Sequence, residues 1–131
     1  LITGSSGFIG SRTVLNLCGI NKICGIDIRD PSEILKKNVS FDTTLLNIDM
    51  NNHDELNETM DNYIDKNGAF DYIIHYATFW NYEPGNVDKY TDTIKYTMQL
   101  YNLAKKYHTK GFIFASSVEV LPSILNERKS D

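Results

Sequence analysis

The chain has 131 residues, 41% of them hydrophobic, with 13 basic and 17 acidic side chains and a formal net charge of −4. That is the length of one domain, and the absence of any Lys/Arg run longer than two excludes the basic stripe that a nucleic-acid or anionic-membrane surface needs. No apolar run approaches the ~18–20 residues of a bilayer span, and the opening lacks the charged start and long apolar stretch of a secretory signal, so the expectation is a soluble, cytoplasmic protein. Cys18 and Cys24 are too few for a disulfide framework and lack zinc-site spacing; they read as reduced, buried small hydrophobes.

In chain order, Leu1-Ile2-Thr3 reads as the tail of a first strand, followed by a Gly/Ser-rich turn from Gly4 to Gly10. Ser11 to Leu17 carries Val14, Leu15 and Leu17 and stops before Gly19, which predicts a helix. Ile23-Cys24-Gly25-Ile26-Asp27-Ile28 is a short, mostly apolar run, the pattern of a strand buried on both faces. Pro31 suits the start of a short helix through about Lys37, and Thr44 to Ile48, ending at Asp49, reads as the third strand. Leu56, Met60, Tyr63 and Ile64 mark one face of a helix that stops at Asn67-Gly68. Phe70 to Tyr76 is then a fourth strand. From Val87 to Tyr107, the positions Tyr90, Ile94, Thr97, Met98, Tyr101 and Ala104 predict a helix of about five turns. Gly111 ends it, and Phe112 to Ala115 form the fifth strand, with Ser116-Ser117 at its carboxyl end.

Strands alternating with helices connect through right-handed parallel crossovers. The expected fold is α/β, a doubly wound parallel sheet of the Rossmann type with five strands in the order 3-2-1-4-5, occupying residues 1–131 as one partial domain. The short first strand and the polar stretch Asn126 to Asp131 carry the expectation that the sequence is a piece of a longer chain. In such a sheet, ligands sit beyond the carboxyl ends of the strands, where the strand order reverses.

Gly4, Gly7 and Gly10 recur every third residue between the strand remnant and the first helix. Gly4 suits a tight turn, Gly7 lets backbone approach a pyrophosphate, and Gly10 allows close packing of the helix. The free N–H groups and partial positive charge of the helix start would face the phosphates. Asp27, 23 residues after Gly4 and at the end of the second strand, can accept two hydrogen bonds from an adenosine ribose. A carboxylate there repels a 2′-phosphate and favours NAD over NADP, a preference that the guanidinium of Arg29 weakens.

Ile2-Thr3-Gly4-Ser5-Ser6-Gly7-Phe8-Ile9-Gly10 resembles the nucleotide-binding signature of the extended short-chain dehydrogenase/reductases, the NAD-dependent sugar-nucleotide epimerase/dehydratase family. Four more segments resemble the family in the same order: Asp27-Ile28-Arg29, Asn47 to Met50, Asp71 to Ala77, and Phe114 to Val120. The resemblance therefore spans nearly the whole chain. It implies that Phe8 and Ile9 offer N–H groups to the pyrophosphate, that Asp27 holds the ribose, and that Asp49 with the Met50 backbone contacts the adenine. His75-Tyr76-Ala77-Thr78 resembles the strand end lining the path from adenine to nicotinamide, and Ala77, Thr78 and Ser116 are expected to bind the cofactor. Ser117 matches the active-site Ser/Thr that orients the sugar oxygen. His75 reads as a packed residue and not as the proton donor.

The family's remaining catalytic pair, Tyr-x-x-x-Lys, is not found after Ser117. Two further departures stand out: Thr93 and Tyr96 replace an Asn and a Gly of the family, and Val120-Leu121-Pro122 replaces Val-Tyr-Gly. Glu119 matches an acid of the dehydratase and decarboxylase branches, whereas Val118 stands where one dehydratase type has Asp. Phe79, Trp80 and Tyr82 offer an aromatic platform or a packed loop. The resemblance implies the NAD-binding part of an enzyme that oxidises a nucleotide sugar transiently, with a parent homodimer, no metal, and inactivity of the fragment itself. The alternatives are a non-catalytic NAD(P)-binding sensor and an NADPH-dependent reductase of the same superfamily.

Overall fold

The computed structural model describes residues 1–78 and 87–116, the side chains of 87–90 excepted. Five strands, β1 (Ile2–Thr3), β2 (Ile23–Asp27), β3 (Thr43–Asn47), β4 (Tyr72–His75) and β5 (Gly111–Phe114), alternate with α1 (Phe8–Leu17), α2 (Glu33–Asn38), α3 (His53–Asn67) and α4 (Val87–Lys106). The strands form one sheet in the order β3-β2-β1-β4-β5, the order expected from the sequence, and every pairing is parallel. Thr3 at the end of β1 stands between Ile26 of β2 and His75 of β4. The order reverses on either side of β1, so the loops leaving β1 and β4 diverge and open a crevice at the carboxyl edge.

Successive side chains of a strand point to opposite faces, and the two faces are filled by different helices. Ile2 and Ile23 meet Val14 and Cys18 from the α1 side and Leu35 of α2. Cys24, Ile26 and Ile73 meet Leu56, Met60 and Ile64 of α3 and Tyr96, Leu100, Leu103 and Ala104 of α4 on the other face. Cys18 and Cys24 thus belong to separate cores. Burial pushes the Cys24 thiol up to about 12, which makes it a packing group and not a nucleophile. Among the described residues, no helix is long and apolar enough to cross a membrane.

The structure shifts the strands to Thr43–Asn47, Tyr72–His75 and Gly111–Phe114, where the sequence reading has Thr44 to Ile48, Phe70 to Tyr76 and Phe112 to Ala115, and it differs in the helices as well. Helix α1 starts at Phe8 instead of Ser11, because its first turn exposes Phe8 and Ile9 and so gives no amphipathic signal. Helix α2 starts at Glu33, two residues after Pro31, with the Ser32 hydroxyl accepting the Leu35 N–H as its cap. In α4 the sequence stripe through Ile94, Met98 and Tyr101 faces outward, and the buried face is Tyr96, Leu100, Leu103 and Ala104. The helix carries apolar residues on two faces with the same spacing, and only the sheet decides which is inside.

The turn from β1 into α1 packs backbone against backbone. Gly4 has a φ of +69°, where side-chain-bearing residues are strained, and a Cβ there would lie 2.9 Å from the Ala77 nitrogen. A Cβ at Gly10 would lie 2.0 Å from the Gly4 carbonyl oxygen, a backbone atom that cannot swing aside. Gly10→Ala is expected to cost ~3 kcal/mol or more by forcing α1 off the turn. Gly19→Ala, where a Cβ meets nothing within 4 Å, is expected to leave stability unchanged. Urea unfolding of the two variants checks this, with equal midpoints counting against the close approach.

Candidate functional site

A crevice of about 1200 Å³ lies across the carboxyl ends of all five strands, larger than the roughly 300–1,000 Å³ of most small-molecule pockets. The β1–α1 turn contributes Gly4, Gly7, Phe8, Ile9 and Gly10, and the end of β2 contributes Asp27, Ile28 and Arg29. The segment after β3 adds Asp49 and Met50, the segment after β4 adds Ala77 and Thr78, and the end of β5 adds Ser116. Every cofactor residue expected from the sequence lines this one space. Ser117, Glu119 and the aromatic group Phe79, Trp80 and Tyr82 lie outside the described residues.

The chemistry of the crevice starts with α1. Its N-cap, Gly7, makes no side-chain cap hydrogen bond, and its first turn holds no acid. The N–H groups of Phe8, Ile9 and Gly10 have no intrahelical partner by the geometry of any helix start. They carry the positive end of the helix dipole into the crevice, which suits an anion. Such a helix start is ordinarily closed by Ser, Thr, Asp or Asn; here it is left open.

Asp27 is 6% exposed. Its Oδ2 accepts the Ser6 N–H at 2.9 Å, its Oδ1 accepts the Arg29 N–H at 2.9 Å, and the Arg29 Nε lies 3.5 Å from Oδ1. The carboxylate therefore ties the glycine turn to the end of β2. Each oxygen has a second acceptor site, so a ribose hydroxyl could still be accommodated. Asp49 is exposed and accepts the Asn51 N–H at 2.9 Å, while Met50 is buried at 8% beneath the crevice.

His75 is fully buried, and its hydrogen bonds fix its tautomer. The single hydroxyl proton of Thr97 goes to the Thr93 carbonyl at 2.7 Å, so His75 Nε2 must donate to Thr97 Oγ1 at 2.9 Å. Burial lowers the imidazole pKa from 6.5 to about 4 and keeps it neutral. Nδ1 is then the acceptor for the Thr3 hydroxyl, which in turn accepts the Ala77 N–H at 3.2 Å. Tyr96, Phe112 and Phe114 ring the imidazole at 5.8, 6.2 and 5.4 Å between centroids. A neutral, satisfied and buried ring is a brace between β1, β4 and α4, as the sequence reading has it.

The strand order agrees with the comparison to known proteins. A family model described as NAD dependent epimerase/dehydratase family matches residues 1–130. The chain belongs to that family. It is 27% identical to the bifunctional protein GAL10 of Candida maltosa over 92% of this chain and 82% of that one. It is 31% identical to the UDP-glucose 4-epimerase of Pisum sativum, covering 92% of this chain and 37% of that one. The UDP-glucose-4-epimerase of Stenotrophomonas maltophila, solved with NAD and formylated UDP-arabinopyranose, superposes with a TM-score of 0.70 at 16% identity, over 91% of this chain and 37% of that one. The chain thus spans little more than a third of the pea enzyme and of the solved structure.

Within this family fold, the structure adds crevice residues that the sequence did not single out as contacts: Ile48, Asn51, Asp92, Tyr96, Phe114 and Ala115. Tyr96 and Thr97 belong to a segment whose departure from the family is visible in sequence. Their contact with a histidine on β4 has no local signature, because the partners are more than 20 residues apart. A second groove of about 730 Å³ lies between α3 and α4. Within it Asp61 accepts from Lys106 at 2.9 Å and also from the Tyr107 hydroxyl at 2.6 Å.

The low pKa of His75 fixes the sign of a pH effect. The unfolded chain takes up the proton near the ordinary 6.5 and the folded chain only near 4, so this group's contribution is complete above 6.5. It is expected to fall by roughly 3 kcal/mol as pH drops from 6.5 to 4. An NMR titration of the imidazole checks the cause: the ring stays neutral and Nε2-protonated at pH 5.5, whereas a midpoint near 6.5 would contradict it.

Proposed function

We propose that this chain is the dinucleotide-binding part of a nucleotide-sugar epimerase-type enzyme, with NAD held in the crevice at the carboxyl edge of the sheet. The observation that carries the reading is the start of α1, uncapped and free of acids, opening into a crevice that also holds the buried carboxylate of Asp27. The fit is physical: the turn is built so that no Cβ stands at Gly4 or Gly10, and backbone can approach a diphosphate closely.

In this reading the N–H groups of Phe8 and Ile9 bind the diphosphate beside Gly7, and Asp27 accepts the ribose hydroxyls next to Ile28 and Arg29. Asp49 and the Met50 backbone meet the adenine edge, while Ala77, Thr78 and Ser116 border the nicotinamide half. Ser117 orients the sugar hydroxyl at the carbon to be oxidised. When bound, NAD supplies a reversible acceptor for the hydride of that carbon. The substrate class, a nucleotide sugar, is supported by the relatives, whose names specify UDP-glucose. The base that takes the hydroxyl proton is not supplied by a Tyr-x-x-x-Lys pair in residues 118–131, so turnover is proposed for a longer chain and not for these residues alone. The outward face of α4, with Ile94, Met98 and Tyr101 exposed at 64%, 51% and 46%, suits a homodimer of that chain.

A second reading, nucleotide binding without catalysis, draws on Tyr96. Its ring borders the crevice at the position where the family has Gly. The two readings part on turnover: an epimerase interconverts UDP-glucose and UDP-galactose, and a sensor binds NAD without doing so.

Calorimetric titration of NAD tests the site. Asp27→Ala is expected to weaken binding by about tenfold or more, from the loss of charge-assisted hydrogen bonds to the ribose. Asp71→Ala, which removes an exposed pair with Lys110, is expected to leave binding unchanged. Equal affinities of the two variants would remove Asp27 from the site.

A further inference from the structure

The two halves of the crevice differ in charge. Asp27, Asp49 and Arg29 stand at the β2–β3 half. Toward β4 and β5 the lining includes Ala77, Thr78, Tyr96, Phe114 and Ser116, and among the described residues Asp92 is the one Asp, Glu, Lys or Arg there. Asp92 and Tyr96 are four residues apart on α4, so they share a face of the helix. Tyr96 is 5% exposed, and its ring meets the His75 imidazole edge-on at 5.8 Å. Phe114 lies 5.4 Å from the same imidazole. Asp92 is thus held at the β4–β5 end, beside aromatic walls that screen charge less than bulk water does.

The cation that pairs with Asp92 stands outside this space. Lys95 Nζ lies 3.2 Å from Asp92 Oδ1, with the two side chains 57% and 38% exposed, and Lys95 lines the groove between α3 and α4 instead. An ion pair this open is weak and screened by water, so much of the negative charge of Asp92 still acts on the crevice. A nicotinamide ring changes charge with its oxidation state: the oxidised ring carries one positive charge and the reduced ring none. A carboxylate several ångströms away therefore favours the oxidised form, by about fivefold after the share that Lys95 neutralises.

Resting on the placement of the nicotinamide half beside Ala77, Thr78 and Ser116, we propose that Asp92 is a specificity-determining residue that selects the oxidised cofactor. It acts through its field and not through a hydrogen bond to the dinucleotide, so it discriminates NAD+ from NADH and leaves the adenosine end untouched. By linkage, the bound nicotinamide is harder to reduce by the same factor.

Equilibrium titration of the chain with NAD+, NADH and ADP tests this in the wild type, Asp92→Asn and Lys95→Gln. ADP lacks the nicotinamide and serves as the control for folding and for the adenosine half. Asp92→Asn is expected to lower the preference for NAD+ over NADH by about fivefold, through weaker NAD+, with NADH and ADP each changed by less than about twofold. Lys95→Gln is expected to raise the preference, and added salt to shrink it. An unchanged ratio of the two affinities in Asp92→Asn would overturn the proposal while leaving the site intact. A loss shared equally by NAD+, NADH and ADP would also overturn it, by making Asp92 a structural residue. Failure of the wild type to bind any of the three would overturn the dinucleotide reading beneath it.

Discussion

The first turn of α1 lies against the turn leaving β1 with no room for a methyl group between them, and the rest of the crevice is arranged around that contact. The closeness puts the uncapped amides of Phe8, Ile9 and Gly10 at the carboxyl edge of the sheet instead of above it. Asp27 holds the same turn from the β2 side by accepting the Ser6 N–H at 2.9 Å. Helix start and carboxylate are thus fixed relative to each other by backbone, which is what a rigid, extended ligand requires.

The other flank of the crevice is braced differently. Thr3, His75, Thr97 and Thr93 form a continuous chain of hydrogen bonds, buried at Thr3 and His75 and partly buried beyond, from β1 through β4 into α4. Every polar atom of the imidazole is satisfied, so the network stabilises only while the ring is neutral. Its output is the position of Ala77, whose N–H ends on Thr3, at the place where the loop after β4 enters the crevice. A histidine at the end of a strand beside a ligand space invites a catalytic role; burial and saturated bonding give this one a mechanical role.

Much of this was legible in the sequence, for identifiable reasons. Buried parallel strands are short apolar runs, so β2 and β4 declare themselves through Ile23 to Ile26 and Tyr72 to His75, and the alternation with helices points to a doubly wound sheet, whose order 3-2-1-4-5 goes with the glycine turn after the first strand. The crevice residues were legible because the fold places each strand end at the same edge. What was not legible depends on phase or on distance along the chain. Helix α4 has two apolar faces, and the choice of Leu100 and Leu103 over Met98 and Tyr101 is made by the sheet. The start of α1 was hidden because Phe8 and Ile9 point to solvent. The lean of Arg29 over Gly7 and the tie between His75 and Thr97 join residues 22 apart, and no periodicity reports such pairs.

The measurement that reaches the central claim most directly is the amide ¹H–¹⁵N spectrum of the chain during titration with NAD. If the open end of α1 holds the diphosphate, the amides of Phe8, Ile9 and Gly10 shift most, together with those around Asp27, and all follow one saturation curve. If these amides stay in place while the largest shifts fall in the groove between α3 and α4, the α1 turn is not the binding element and the account fails.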